Sequence, residues 1–525
     1  MNIDINISKN LTQYQIENND VSLVGYIEKK NIINSFLGDQ LNDKNFFELL
    51  KEEIKGFFSI VIKKDDQLYA AVDHIRSYPL FFGKDENNFY MSDSAEWVRK
   101  KVKDLEMDRI AREEFQLAGY VTGNDTLYPN VKQLQAGEFL IFNNNEYEIG
   151  QYYNFDHSEP DQYNEKELKK EINEIASETI SKLINYAKGR QIVVPLSGGY
   201  DSRLIVTLLK KNRYENIITF TYGVRGNKEA NYSQIVANSL GLKWYFVEYN
   251  EKIWKEWSEH KDNFDYQFFC SNLVSVPHLQ DCIAVKSLKD QGLIDDNAIF
   301  VPGHSGDMVA GSHIPSFVHT DLNKIYSKND LSEYLIEKHY NLIKINHLDM
   351  FLYKNRVLSS VKVLTEYSAL DFANECEKFN WKNRQSKFIC NSVRLYEFYG
   401  YDWWLPLWDK DFVRFFEKLP IRLRNHKWYV SYVSEIFEQN SNIKKLNNSG
   451  DYNIIFFLIK KIVKKVDFFE KIIKSFYDKF FIKDKFGWYG QFRNTKNLKK
   501  LGYTYNGLVA YFFIRYLEDL DVENK

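Results

Sequence analysis

Short apolar runs separated by polar turns dominate the first part of the chain. Three of them have the length of strands: residues 21–27 (VSLVGYI), 56–63 (GFFSIVIK) and 67–73 (QLYAAVD). Runs of this length between turns rich in Asn, Asp and Gly predict β-strands. An acidic and polar stretch at 154–166 follows, with the composition of a linker. We therefore predict a smaller, sheet-rich domain over residues 1–160.

The pattern then changes to alternating helices and strands. Apolar residues recur every three or four positions from Leu168 to Ile184, which is typical of one face of an amphipathic helix. Strand-like runs and helical segments then take turns, at 191–196, 203–211, 217–222, 228–240 and 243–248. This spacing predicts a parallel sheet. We predict an α/β domain over residues 161–525, mainly helical after residue 320.

Composition narrows the class of protein. The 525 residues carry 70 Lys and Arg against 72 Asp and Glu, a formal net charge of −2, so no global field would hold the chain on bulk nucleic acid. The four cysteines, at 270, 282, 376 and 390, form no CxxC pair, which favours a reducing compartment. The opening MNIDINISKN has no apolar core and is not expected to be a signal peptide. We expect a cytoplasmic protein, and the sequence leaves a homodimer open.

Residues 454–482 combine lysines with bulky apolar residues at roughly helical spacing. A basic amphipathic helix of this kind can lie on an anionic membrane surface. Alternatively, its apolar face packs on the parent domain while the lysines face water. We favour packing, and no apolar run approaches the roughly 20 residues that span a bilayer.

The sharpest local pattern is the segment 197–202 (SGGYDS), directly after a predicted strand and directly before a predicted helix. Its adjacent glycines, Gly198 and Gly199, turn the backbone tightly, so that several N–H groups and the helix N-terminus face one point. Ser197 and Ser202 can donate hydroxyl hydrogen bonds to an anion held there. Asp201 would repel that anion unless a divalent cation lies between them, which suggests Mg²⁺. A plain strand–helix turn is the alternative.

No Gly-Lys-Ser/Thr follows this loop, so it is not a P-loop. It resembles instead the pyrophosphate loop of ATP pyrophosphatases, which adenylate a carboxylate or carbonyl. A second segment, 302–307 (PGHSGD), resembles the SGEGSD loop of asparagine synthetase-type amide ligases. This resemblance implies that Asp307 shares Mg²⁺ with Asp201. It also implies that Gly303, Ser305 and Gly306 leave room for the pyrophosphate of ATP.

Further positions of the second domain resemble this family, and one of them carries a different residue type. Glu229 resembles the family's acidic residue after the second strand, and Leu196, Tyr222 and Gly223 occupy the strand ends that contact nucleotide through backbone. His304 stands where asparagine synthetases carry a glutamate and β-lactam synthetases a tyrosine. A histidine there could act as a general base toward an incoming amine, could hydrogen-bond the acyl-adenylate, or could only cap its loop.

The segment 400–409 (GYDWWLPLWD) resembles the family's GVEARVPFLD. Asp402 then replaces a glutamate and is a candidate to face the nucleophile, while Trp404 replaces an arginine. An indole is poorly suited to a substrate carboxylate, so aspartate is not assured as the substrate. The family also uses a lysine from a late loop to neutralise developing charge, for which Lys444 and Lys445 are the candidates, with Lys427 behind them.

Residues 56–94 resemble the glutamine amidotransferase domain of the same enzymes. This resemblance implies that residues 1–160 form a smaller α+β domain of the N-terminal-nucleophile-hydrolase type. Such domains use an N-terminal cysteine, whereas this sequence begins Met1-Asn2 and its first cysteine is Cys270. The glutamine-binding motif NGEIYN appears as the segment 24–29 (VGYIEK), which lacks both recognising side chains. We expect glutamine hydrolysis to be lost and the domain to serve as a packing partner.

Together these patterns predict an ATP-dependent carbon–nitrogen ligase similar to the asparagine synthase of asparagine biosynthesis. It would adenylate a carboxylic acid, release pyrophosphate and transfer the acyl group to ammonia or an amine. One alternative is adenylation for RNA or sulfur transfer, which needs a nucleophilic cysteine and a basic face. Another is a non-catalytic nucleotide-binding partner.

Overall fold

A computed structural model describes residues 1–7, 11–16, 19–28, 41–344, 350–443, 486–492, 498 and 501–523. The first part of the chain is built mainly from strands, as its apolar runs predict. They are β1 (Asn2–Asn6), β2 (Leu11–Ile16), β3 (Asn19–Ile27), β4 (Gly56–Lys64), β5 (Gln67–Val72), β6 (Phe81–Lys84), β7 (Asn88–Ser92), β8 (Lys132–Gln133), β9 (Glu138–Asn143) and β10 (Glu146–Gln151).

These strands form two sheets that pack face to face. The larger sheet is antiparallel, in the order β10-β9-β5-β4-β3-β2, and the smaller runs β1-β7-β6-β8. Alternate side chains of both sheets point inward, so that Val61 and Leu68 of one meet Phe82 and Phe89 of the other in a shared apolar core. Three helices flank the sheets: α1 (Asp43–Glu48), α2 (Ala95–Val102) and α3 (Arg109–Ala118).

The second part contains a parallel sheet, as predicted. Its strands are β11 (Ile192–Pro195), β12 (Ile217–Gly223), β13 (Lys243–Glu248), β14 (Ile299–Phe300) and β17 (Asp402–Trp403), in the order β13-β12-β11-β14-β17. Each neighbouring pair is parallel. The carboxyl ends of the central strands therefore meet at one edge, where α/β sheets bind their ligands. A separate hairpin pairs β15 (Tyr326–Ser327) with β16 (Glu366–Tyr367).

Helices surround this sheet and make up most of the later chain. They are α4 (Glu165–Ala187), α5 (Tyr200–Lys211), α6 (Lys228–Ser239), α7 (Glu251–Ser258), α8 (Lys261–Ser271), α9 (Cys282–Asp290), α10 (Gly306–Val309), α11 (Lys328–His339), α12 (Met350–Ser359), α13 (Ala369–Phe379), α14 (Arg394–Phe398), α15 (Lys410–Glu417), α16 (His426–Asn440) and α17 (Tyr505–Glu523). A π-helix at Asn380–Ile389 continues α13. Within the ranges described above, no helix has the length and apolarity to cross a membrane.

The antiparallel and parallel parts meet through aromatic rings and charges. The Trp404 indole, after β17, lies with its ring centroid 5.0 Å from that of Tyr26 and 5.2 Å from that of Phe57. Beside them, Lys182 Nζ of α4 lies 3.0 Å from both Glu28 Oε1 and Asp409 Oδ2. The Trp-rich segment is thus packing material between the two parts, and the domain boundary near residue 160 stays a prediction.

Candidate active site

The glycine loop lies between β11 and α5, at the carboxyl edge of the parallel sheet. Gly198 has φ +71°, and a Cβ there would lie 2.8 Å from Tyr232 Cβ, so both conformation and space require glycine. Gly199 is the N-cap of α5, and its N–H donates to Ser197 Oγ at 3.3 Å. The first N–H groups of an α-helix have no partner within the helix, so the N-terminus of α5 favours an anion beside the loop.

The side chains just inside α5 are polar although they are buried. Among the described residues, Ser202 Oγ has no hydrogen-bond partner, and Ser202 is only 3% exposed. A buried hydroxyl without a partner is costly unless a ligand or water completes it. The next residue, Arg203, is fully buried beneath the loop and donates Nη2–H to the Gly198 carbonyl at 2.9 Å.

A second loop, between β14 and α10, packs directly on the first. A Cβ on Gly303 would lie 2.6 Å from the Ser202 nitrogen, and one on Gly306 would lie 2.8 Å from Asp201 Oδ1. Only glycine permits these approaches, which bring the Asp307 N–H within 3.4 Å of Asp201 Oδ2. The structure thus brings together Asp201 and Asp307, which are separated by more than a hundred residues of sequence.

The approach of the two carboxylates changes the pKa of Asp201. Burial raises the pKa of Asp201 to about 7, and the neighbouring Asp307 carboxylate adds to that rise. Asp307 is held in place by the Met308 N–H at 2.8 Å and the Ser312 hydroxyl at 3.1 Å, which donate to its two oxygens. The paired oxygens suit a hard cation such as Mg²⁺. Among the described residues, no third His, Cys, Asp or Glu completes a metal-binding group, so phosphate oxygens and water would fill the remaining positions.

His304 lies in the second loop with a fixed tautomer. Its Nε2 is 2.6 Å from Ser392 Oγ, and the same hydroxyl is 2.7 Å from the Ile389 carbonyl. A carbonyl only accepts, so the one hydroxyl hydrogen goes to Ile389 and His304 Nε2–H must be the donor to Ser392. Burial lowers the pKa of His304 to about 4, and nearby His278 lowers it further. The imidazole is therefore neutral near pH 7, with its lone pair on Nδ1.

Ser305 connects the second loop to the π-helix, and its part in binding pyrophosphate stays a prediction. Its hydroxyl donates to Gln385 Oε1 at 2.7 Å. Ser305 also has φ +69°, a left-handed conformation that is uncommon outside glycine. The side chain therefore anchors the loop to the π-helix.

The predicted nucleotide-contacting strand ends lie at the expected edge of the sheet. The Leu196 carbonyl accepts hydrogen bonds from the hydroxyls of Thr221 at 2.5 Å and Ser233 at 2.6 Å. Gly223 ends β12 with φ +134°, and its carbonyl accepts from the Tyr249 N–H at 2.8 Å. Their contact with nucleotide stays a prediction. Glu229 lies in the first turn of α6, and Tyr222 stacks on Tyr249 with centroids 5.1 Å apart.

Asp402 is not part of this cluster. It is in register with Ile299, which is in register with Ile192, so it lies at the amino edge of the sheet, opposite the two loops. Its carboxylate is 2.5 Å from Arg190 Nη1 and accepts a hydrogen bond from the Tyr186 hydroxyl at 3.1 Å. The prediction that Asp402 faces the nucleophile is therefore wrong. The prediction rested on the resemblance of 400–409 to a family segment, and the strand that bears Asp402 is only two residues long.

Of the three predicted lysines, the structure describes only Lys427. Lys444, Lys445 and the segment 454–482 lie outside the described residues. Lys427 is exposed in the first turn of α16. That helix also carries Tyr429, whose hydroxyl would lie 2.5 Å from a Cβ on Gly306.

Sequence reasoning missed several groups around the cluster. Tyr429 and Ser392 come from distant helical segments whose sequence carries no signal for this site. Arg384 of the π-helix was also missed, and its pKa is lowered by burial while Tyr120 and Asp307 act in the opposite direction. Arg203 could have been noticed, because it begins the otherwise apolar run RLIVTLL directly after the loop.

Residues 24–26, which stand where the amidotransferase domain carries its glutamine-binding motif, form no polar cluster in the structure. Gly25 has φ +95°, and a Cβ there would lie 2.5 Å from the Tyr78 ring. Tyr26 packs its ring on Trp404 and on Tyr186, with centroids 5.0 and 5.4 Å apart. Val24 is buried in the core between the two sheets. The side chains of Val24 and Tyr26 therefore pack against apolar and aromatic neighbours.

The fold and the site define a two-part protein: an antiparallel-sheet domain of the amidotransferase type, followed by a parallel-sheet domain of the adenine nucleotide hydrolase type. Comparison with known proteins agrees. The glutamine amidotransferase domain family matches residues 48–153, and the asparagine synthase family matches residues 187–259. Over these residues the chain is similar to the asparagine synthase family, with distant homology to the asparagine synthetases.

Individual relatives are remote. Asparagine synthetase (glutamine-hydrolysing) 1 of Bacillus subtilis is 25% identical over 207 residues, which cover 38% of this chain and 32% of that protein. Putative asparagine synthetase (glutamine-hydrolysing) 2 of Methanocaldococcus jannaschii is 23% identical over 341 residues, covering 58% and 62%. The matches therefore span less than two thirds of either relative. An NH3-dependent NAD synthetase structure from Campylobacter jejuni is 16% identical, covers 27% of this chain and 60% of its own, and has a TM-score of 0.20, too low to support an argument.

Proposed function

We propose that the protein is an ATP-dependent amide ligase that adenylates a carboxylic acid and passes the acyl group to ammonia or an amine. The observation that carries this proposal is the meeting of Asp201 and Asp307 at a glycine loop that leads into the N-terminus of α5. Pyrophosphate needs both features, because it brings several negative charges to one point.

In the first step, a substrate carboxylate oxygen attacks the α-phosphorus of ATP, and the bond to the β-phosphate oxygen breaks. Ser197, Ser202 and the backbone of Gly198 and Gly199 would bind the departing pyrophosphate, with space left by Gly303 and Gly306. Mg²⁺, held by Asp201 and Asp307, would neutralise charge on the phosphate oxygens. Strand-end backbone at Leu196 and Gly223 would contact the nucleotide.

In the second step, the nitrogen nucleophile attacks the acyl carbon and AMP leaves. His304 suits the removal of the nucleophile's extra proton, because its Nδ1 carries a lone pair while Nε2–H is held by Ser392. Lys444 and Lys445 remain our proposal for the cation that steadies the leaving charge. We leave Asp402 out, because Arg190 already pairs with it.

We further propose that glutamine is not the nitrogen donor. The two positions that would recognise it are Val24 and Tyr26, one in an apolar core and the other packed on aromatic rings. The RNA or sulfur-transfer alternative has no support, since all four cysteines are buried. No observation favours a non-catalytic nucleotide-binding partner.

The test is pyrophosphate release from ATP and Mg²⁺ over a panel of carboxylic acids, with ammonium, amines or glutamine as nitrogen donor. We expect acid-dependent release, amide formation with ammonium or an amine, and none with glutamine. Asp307→Asn should abolish release, whereas Asp290→Asn, an exposed site at the end of α9, is the matched control. ATP binding without turnover over the whole panel would contradict the ligase. Amide formation with glutamine alone would contradict the loss of glutaminase.

A further inference from the structure

A buried cation lies directly beneath the glycine loop. Arg203 is 0% exposed, and its guanidinium is sandwiched between two rings, 4.9 Å from the Tyr200 centroid and 5.3 Å from that of Phe437. From this position Nη2–H donates to the Gly198 carbonyl at 2.9 Å. The guanidinium therefore fixes the peptide of the residue whose left-handed conformation makes the loop.

This cation has no carboxylate to neutralise it within the described ranges. No ion pair involves Arg203 there, and its Nε lacks a hydrogen-bond partner. By contrast, the equally buried Arg424 lies 2.8 Å from the Glu377 carboxylate. Burial lowers the pKa of Arg203, but a guanidinium stays protonated at neutral pH. An unpaired buried charge is unfavourable, so the free protein keeps a positive charge behind the loop at a cost.

Packing alone does not require this cation. The next residues of the helix, 204–209, are buried, and all of them except Thr207 are apolar. An aliphatic side chain at position 203 would fill the space beside the two aromatic rings without a desolvation penalty. Arginine at this point adds two things that an aliphatic residue cannot: a donor to the Gly198 carbonyl and a charge of the sign opposite to phosphate.

We propose that Arg203 is a positioning residue for pyrophosphate binding. It locks the Gly198 peptide so that the loop N–H groups face the ligand, and its charge is neutralised only when phosphate oxygens occupy the cradle. This inference rests on the proposed function. It identifies the Arg203 guanidinium as the group that selects a polyanion at the loop. The Ser202 hydroxyl, buried beside it without a described partner, is a second group left for the same ligand.

The experiment measures binding of magnesium pyrophosphate by titration calorimetry to the full chain and four variants. Arg203→Met removes charge and donor, Arg203→Lys keeps the charge, and Arg203→Gln keeps a donor without charge. Lys211→Met, an exposed position at the end of the same helix, is the control for losing one positive charge. Melting temperatures without ligand report on folding.

We expect Arg203→Met to bind pyrophosphate at least about tenfold more weakly, without melting earlier than the wild type. Arg203→Lys should recover most of the affinity, Arg203→Gln less, and Lys211→Met should match the wild type. If Arg203→Met does not fold, the comparison of Lys with Gln decides the same question. Wild-type affinity in Arg203→Met, or a loss that follows a lower melting temperature and is not recovered by Lys, would overturn the inference. Failure of the wild type to bind magnesium pyrophosphate or ATP would instead overturn the proposed function.

Discussion

Replacing Asp201 by asparagine should stabilise the ligand-free protein at alkaline pH while it destroys activity. Burial and the Asp307 carboxylate raise the pKa of Asp201 from its usual 3.8 to about 7. Below pH 4 the carboxyl is protonated in both folded and unfolded chains and contributes nothing. As pH rises toward 7, the unfolded chain ionises first, so the free energy of unfolding falls. Asparagine, which cannot ionise, removes that loss.

The size of the effect follows from the two pKa values. A rise from 3.8 to about 7 corresponds, at 1.36 kcal/mol for each pH unit, to an upper bound of about 4 kcal/mol above pH 7. Asp201 is partly exposed, and solvent and local relaxation weaken the repulsion. We therefore expect Asp201→Asn to gain roughly 2 kcal/mol at pH 8 and close to nothing at pH 4.

The assay is urea denaturation with a metal chelator present, at pH 8 and pH 4, followed by tryptophan fluorescence. Asp411→Asn is the control of opposite sign. Burial acts to raise the pKa of Asp411, but hydrogen bonds from Lys55 at 2.7 Å and Lys182 at 2.9 Å outweigh it and lower that pKa to about 2. Asp411→Asn should therefore lose stability at pH 8. A destabilised Asp201→Asn at pH 8, or an equal gain at both pH values, would refute the reasoning.

Three further predictions concern the loops and the interface. Ser392→Ala should lower kcat by about tenfold, because His304 loses the acceptor that fixes its tautomer, whereas Ser392→Thr should retain activity. Because burial lowers the pKa of His304 to about 4, protonation of His304 should cause no loss of the wild-type rate between pH 8 and 6. A rate that falls with a midpoint near pH 6.5 would contradict the buried neutral imidazole. Gly306→Ala should reduce kcat/KM by roughly a hundredfold in steady-state assays, because the new methyl group would lie 2.5 Å from the Tyr429 hydroxyl. A near-normal kcat/KM would show that the loop around Gly306 can move away from Tyr429. Trp404→Ala should cost about 3–5 kcal/mol in urea denaturation by leaving a cavity among aromatic rings, and a loss below about 1 kcal/mol would show that the ring is not needed there.

The short-range patterns of the sequence predicted the fold well. The strands around residues 56–73 were predicted from short apolar runs between polar turns, and the helix Glu165–Ala187 from apolar positions that recur every three or four residues. Both patterns depend only on neighbouring residues. The glycine loop was predictable for the same reason, since adjacent glycines between a strand and a helix have few structural uses. Asp307 needed the family resemblance, because nothing in its own segment shows that it will meet Asp201.

The remainder of the site depends on long-range packing. The π-helix Asn380–Ile389 brings Gln385 to Ser305 and is followed by Ser392, yet a π-helix has no sequence periodicity that distinguishes it from the α-helix before it. Tyr429 reaches Gly306 only through the docking of α16. Asp402 was misplaced because a two-residue strand carries no register signal, and only its pairing with Ile299 fixes which edge it occupies.

The aromatic interface also bears on how the protein can be divided for laboratory work. Cutting the chain near residue 160 would uncover Trp404 on one fragment and Phe57 on the other, and would strip Lys182 of the Glu28 carboxylate. Fragments with newly exposed aromatic surface tend to aggregate. A fragment that carries only the parallel sheet would therefore need polar replacements at this face, or co-expression with the amino-terminal fragment, before an absence of activity could be attributed to its chemistry.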